Sequence, residues 1–199
     1  MTPAGLPGQE TAGPPPGAKL LGVTAGVNAS RQLWSYTIAS EAARGPTVGV
    51  FVEVPTPVRH LSVRAEAGYV RRASRVWHAE ADPNREDESE VRGHYLYLPL
   101  HGILGADVGP LSLYAFGGPT MGLLLSTGCR ADVCSTLREE APTTFGVGIG
   151  SGISLRVGER MEAGLELRLT EGLSEAYRSQ DSGVRWRTVE VLLRVGAWR

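Results

Sequence analysis

The chain has 199 residues, a formal net charge of −1, 26 glycines and 13 prolines. The near-neutral balance gives no electrostatic case for binding nucleic acid, and no apolar run is long enough for a transmembrane helix. Lys19 is the only lysine, so the cationic side chains are arginines, whose planar fork suits partly buried pairing with carboxylates.

Residues 1–18 are rich in proline and glycine, which predicts a disordered leader. They carry neither the basic n-region nor the apolar h-region of a secretory signal. Residues 19–199 read as one domain, with eight segments that alternate apolar and polar residues at the period of a half-buried strand. The first, Leu20–Ser30, sets Leu21, Val23, Ala25 and Val27 against Gly22, Thr24, Gly26 and Asn28. Thr47–Val54 is the shortest, with four valines against Gly49, Phe51 and Glu53. Leu61–Arg72 sets Leu61, Val63, Ala65, Ala67 and Tyr69 against Ser62, Arg64, Glu66 and Gly68. In His94–Leu104, Leu96, Leu98 and Leu100 oppose Tyr95, Tyr97, Pro99 and His101. Pro110–Leu125 follows, with Leu111, Leu113 and Ala115 opposite Ser112, Tyr114 and Phe116.

The stretch from Thr144 to Gly172 supplies the sixth and seventh segments. Glycine holds positions 146, 148, 150 and 152, and after a turn the same face carries Glu162, Gly164, Glu166 and Arg168. The eighth, Val184–Trp198, has Val189, Val191, Leu193, Val195 and Ala197 against Glu190, Leu192, Arg194 and Gly196.

Tight links at 55–59, 105–109 and 158–160 alternate with long polar loops at about 31–46, 73–93, 126–143 and 174–183. This predicts an all-β fold: a closed, eight-stranded antiparallel up-and-down barrel with short periplasmic turns and long outer loops. Closure also removes the edge strands.

Alternation alone does not say which face is outside. A soluble lipocalin-like carrier would line its cavity with the apolar face; a membrane barrel turns that face to lipid. The polar face decides for lipid. It is made of small residues plus Glu53, Arg64, Glu66, Arg156, Glu162, Glu166, Arg168, Glu190 and Arg194. Five acids and four arginines are nearly balanced, as an enclosed ion network in the lumen requires. The apolar face is free of charge over the middle of each segment. Trp34, Tyr36, Trp77, Tyr177, Trp186 and Trp198 fall near strand ends or in loops, where an interfacial girdle would sit.

With these faces assigned, the chain resembles the bacterial outer-membrane β-barrel domain family that includes the PorT-type proteins. The resemblance rests on GVTAGVN (22–28), LSVRAEAGYVRR (61–72), YLYLPLHG (95–102), LYAFGGPTMGLLLS (113–126) and FGVGIGSGISL (145–155). It implies an outer-membrane location and an eight-stranded barrel, and no single shared activity.

No catalytic set is found. His60, His78, His94 and His101 have no serine fixed beside them by spacing, and Glu162 and Glu166 lie next to Arg168. The glycine spacings resemble a nucleotide loop, but no helix follows. Two cysteines make a poor zinc site. Cys129 and Cys134 instead suggest a local disulfide clipping a loop, with free thiols as the alternative. No enzyme activity, cofactor or metal is therefore expected. The expected role is that of a monomeric outer-membrane protein with a side-chain-filled lumen. Its partners would be membrane lipid and, through the long loops, another envelope protein, in structural, adhesion or docking roles. The alternatives are the soluble carrier of an apolar ligand and a lipid-modifying barrel enzyme.

Overall fold

The computed structural model describes residues 17–34, 38–78, 89–129, 139–158, 160–178 and 183–199. They form ten strands and, among the described residues, no helix. Eight are long: β1 (Leu20–Leu33), β2 (Ile38–Pro55), β3 (Leu61–His78), β4 (Ser89–Val108), β5 (Leu111–Cys129), β7 (Thr143–Val157), β8 (Met161–Gly172) and β10 (Gly183–Trp198). Each pairs antiparallel with its neighbour, and β1 pairs with β10 from Leu20↔Trp198 to Leu33↔Arg185, closing the barrel. Two short strands, β6 (Glu139–Glu140) and β9 (Tyr177–Arg178), pair with each other at the loop end, and β9 also pairs with the start of β10.

The faces fall as the alternation requires. Val27, Val50, Ile149, Leu165 and Val191 point outward and are more than half exposed on the isolated chain. Their partners in the period, Asn28, Phe51, Glu166 and Glu190, are buried in the lumen. Burying an outward valine or leucine in lipid is favourable by about 1.5–3 kcal/mol, so the barrel's stability in a bilayer rests largely on this band.

The strands are longer than the alternation suggested. About 9–11 tilted residues cross a bilayer, yet β2 and β3 have 18 residues each and β4 has 20. Much of the expected loops at 31–46, 73–93 and 126–143 is therefore strand, and β2 begins at Ile38. Above the lipid band the outward face turns polar, while pairing continues: Arg44 pairs with β1, Arg71 with β4, and Arg75 with β2 beyond a register shift. The apolar contrast ends where lipid ends; the pairing does not.

The three short turns end on residues in the left-handed region or contain them: His60 (φ 66°), Gly109 (φ 64°) and Gly158 (φ 67°). Glycine is the residue that adopts this conformation without penalty. The β4–β5 turn is tighter than the expected 105–109, because the strand runs to Val108 and only Gly109 and Pro110 turn.

Besides the register shifts between Ala43 and Thr47 on β2 and between His94 and Tyr95 on β4, two gaps mark the wall. The β3–β4 ladder is interrupted between Ala65↔Leu100 and Gly68↔Tyr97, and the β4–β5 ladder between Pro99↔Thr120 and Gly102↔Gly117. Pro99 lies in the first gap and Pro119 in the second; neither has an N–H to give to the ladder.

Candidate functional site

Among the described residues, the lumen gathers the largest set of buried charged side chains. From the short-turn end upward, β2 brings Glu53, β3 brings Arg64 and Glu66, β8 brings Glu162, Glu166 and Arg168, and β10 brings Glu190 and Arg194. Every second residue points inward, so the three strands β8, β10 and β3 deliver seven charges to one column.

Arg64 is fully buried and touches three carboxylates. Its Nη2 lies 3.0 Å from Glu53, its Nη1 lies 3.6 Å from Glu66, and the same Nη1 bonds Glu166. Arg168 donates to Glu66 at 2.8 Å and reaches Glu166 at 3.5 Å and Glu190 at 3.7 Å. Arg194 contacts Glu53 at 3.0 Å, bonds Glu162, and lies 3.8 Å from Glu166. Hydroxyls fill remaining acceptor positions: Tyr114 Oη donates to Glu166 at 2.9 Å, Ser62 Oγ to Glu53 at 2.7 Å and Thr47 Oγ1 to Glu190 at 2.9 Å.

Eight of the nine expected network residues thus meet. Arg156 does not. It stands opposite Glu162 in the β7–β8 ladder but makes no ion pair among the described residues. Glu162 turns instead to Arg194, on the strand at its other side.

Aromatic rings stand level with the ions and wall the network, which the charge pattern did not reveal. The Arg64 guanidinium lies 5.3 Å from the Phe51 centroid, 5.6 Å from Tyr114 and 5.8 Å from Phe116. Arg194 sits over Phe51 at 5.2 Å and Tyr114 at 5.0 Å, and Arg168 over Phe116 at 5.6 Å. Ring faces within about 6 Å attract a cation, and their bulk excludes water from the column. Inward parity at 51, 114 and 116 was the available signal.

The glycines of β7 make room for these rings. A Cβ on Gly152 would enter the Tyr114 ring, and one on Gly150 the Phe116 ring. On Gly148 it would lie 3.0 Å from His101 Nε2, and on Gly146 3.0 Å from Thr120 Oγ1. Side chains of β4 and β5 therefore lie across the glycine face of β7.

Above the ions the lumen turns apolar. Val70, Val76, Val91, Tyr95, Tyr97, Ala176, Val184 and Trp186 form a buried cluster, with Trp34 packed against it. Trp186 belongs to this plug and not to the girdle: it is 2% exposed and donates its indole N–H to Tyr95 Oη at 3.1 Å. Its even number already placed it on the inward face of β10. Arg72 joins from β3, over the Tyr95 and Tyr97 rings at 5.2 and 5.4 Å. Trp77 and Trp198, each at the C-terminal end of its strand, are half-buried at opposite ends of the barrel, while Tyr36 and the side chain of Tyr177 lie outside the described residues.

The remaining candidates are quickly placed. His101 is buried in the lumen, 4.0 Å from Glu66, and His94 faces outward with its Nδ1 2.6 Å from Tyr69 Oη. His60 is in a turn, and the side chain of His78 lies outside the described residues. The side chain of Cys129 and all of Cys134 also lie outside them, so the disulfide reading stays as the sequence left it.

A hollow of about 850 Å³ lies on the lipid-facing wall, where Leu104, Ala106, Leu113, Ala115, Ile153 and Leu165 are among its lining. An apolar-ligand carrier needs its apolar cavity inside; here the inside holds ions and rings, and the apolar hollow is outside.

A closed barrel with an apolar outer band and charges within matches a known family model, described as outer membrane protein beta-barrel domain, over residues 12–178. The chain belongs to that family. The outer membrane protein OprG from Pseudomonas aeruginosa has a similar fold: TM-score 0.60 at 8% identity, covering 92% of this chain and 96% of that one. Neisserial surface protein A gives 0.47 at 15% identity, over 88% and 96% of the two chains. The attachment invasion locus protein Ail of Yersinia pestis, solved with the heparin analogue sucrose octasulfate, gives 0.47 at 10%, over 91% and 99%. No curated protein matches the chain in sequence. For this outer-membrane barrel the orientation follows: short turns on the periplasmic side, longer connections outside.

Proposed function

We propose that this outer-membrane barrel is a monomeric, non-enzymatic envelope protein whose lumen is closed to solutes. It acts through its membrane anchor and its outer loops, in a structural, adhesive or docking role toward another envelope component. The observation that carries this is the filled cross-section: Arg64 on β3 and Glu166 on β8, opposite each other in the barrel wall, are 0–2% exposed and joined across the lumen, as Arg168 on β8 is to Glu66 on β3. An eight-stranded barrel has an interior just wide enough for side chains to fill. The same contacts support the absence of acid–base chemistry, since Glu162 and Glu166 are each held by arginine rather than poised toward a substrate.

Planar-bilayer recording of the purified protein tests this. No stable conductance steps are expected; large, long-lived channels would refute the closed lumen.

A further inference from the structure

Directly above the lipid band, the outward face of five adjacent strands is lined with arginine. β10 carries Arg185 and Arg187, β1 Arg31, β2 Arg44, β3 Arg71 and Arg75, and β4 Arg92. The register makes them neighbours. Arg31 and Arg187 are directly opposite, Arg44 stands opposite Ala29, diagonal to Arg31, and an Arg71 N–H donates to the Arg44 carbonyl at 3.0 Å. Nothing comparable faces outward on β5 or β7, where the upper positions are Leu125, Ser126, Thr143 and Phe145.

Three members have acids beside them: Arg187 bonds Glu171 at 2.6 Å, Arg92 bonds Glu90 at 2.8 Å, and Arg75 stands opposite Glu41 on β2 and Glu90 on β4. Arg31, Arg44, Arg71 and Arg185 make no ion pair among the described residues. Like charges directly across a ladder are destabilising; Glu171 meets the charge of Arg187, so Arg31 opposite it is the member of that pair left to an outside anion. The side chains project sideways, above Val27, Val48 and Val189, which are 43–61% exposed and face lipid. An anion that meets them there is one embedded in the same leaflet.

We propose that this belt is a docking surface for the phosphate groups of outer-leaflet lipid, the acyl chains lying against the valines below. The guanidinium fork grips phosphate with two parallel hydrogen bonds, and the belt's excess of positive charge matches a row of anionic headgroups. The proposal is independent of whether the lumen conducts, because none of these residues enters it.

The test is native mass spectrometry of the whole barrel in uncharged detergent, with bis-phosphorylated lipid A or phosphatidylcholine added. The wild type is expected to retain lipid A in preference to phosphatidylcholine. Replacing Arg31, Arg44, Arg71 and Arg185 with Gln should weaken that retention, by about fivefold per arginine removed. Lys at the same positions should restore only part of it, keeping the charge without the two-point grip. Arg31→Gln alone, about fivefold weaker, covers the case in which the quadruple variant does not fold; heat-dependent gel mobility reports folding. Equal retention by the Gln variants, or equal retention of phosphatidylcholine, would overturn the proposal. So would equally tight binding of a bis-phosphorylated glucosamine disaccharide without acyl chains, which would make the surface a site for soluble anions.

Discussion

Arg168 shows what a single lumen charge does. Its guanidinium serves Glu66, Glu166 and Glu190 together, and its side chain is 1% exposed. Replacing it with leucine leaves three buried carboxylates short of a partner. Breaking a buried pair from one side costs about 3–5 kcal/mol, so Arg168→Leu should lower the urea midpoint of unfolding from detergent or vesicles by a corresponding amount. Arg156→Leu is the contrast: Arg156 makes no ion pair among the described residues, and its loss should shift the midpoint far less. Equal shifts would mean that the contacts of Arg168 carry no stability. A second residue-scale test uses the glycine face. Gly152→Val would drive its side chain into the Tyr114 ring, and overpacking of this kind costs about 1–3 kcal/mol. An unchanged midpoint would show that the ring is free to move aside. These residues also mark the limits of the sequence. Alternation put Arg156 on the inner face correctly, but two strands flank Glu162, and only the three-dimensional spacing selects Arg194 over Arg156. A place near a strand end assigns Trp186 to the girdle, although its parity with Glu190 and Arg194 belongs to the inner face, where it is 2% exposed.

At the scale of strands, the period-two pattern gave all eight and their facing, from Leu20 to Trp198. It gave their lengths poorly. β2 is the clearest case: Thr47–Val54 alternates visibly, whereas Ile38–Ala43 pairs with β3 and Ala43–Pro46 with β1 on either side of a register shift, with Glu41, Ala42 and Arg44 all exposed. Hydrophobic contrast marks a strand only while one face is in lipid. The same reason hid the upper plug, since Val76 and Val91 fell in stretches that looked like loop. The strands' lipid faces carry their own prediction. Leu165 is 55% exposed at the middle of β8, and an arginine there costs about 2–4 kcal/mol near the midplane. Leu165→Arg should therefore reduce the fraction of protein that reaches the heat-modifiable folded form in vesicles. Undiminished folding would place Leu165 away from lipid.

For the whole molecule, one polar face became two stacked fillings: ions walled by aromatic rings toward the periplasmic turns, and an apolar plug around Tyr95 and Trp186 toward the loops. Outside, an apolar band is topped on one side by arginine. Every part of this arrangement depends on which face of the sheet meets lipid. That is tested most directly by spin labels placed in turn at Ala163, Leu165, Leu167 and Leu169 of β8, in vesicles, with Cys129 and Cys134 replaced by serine. Labels on the lipid face should relax strongly with dissolved oxygen and weakly with a water-soluble nickel chelate at all four positions. Stronger relaxation by nickel at Leu165 and Leu167 would put these residues in water and turn the barrel inside out.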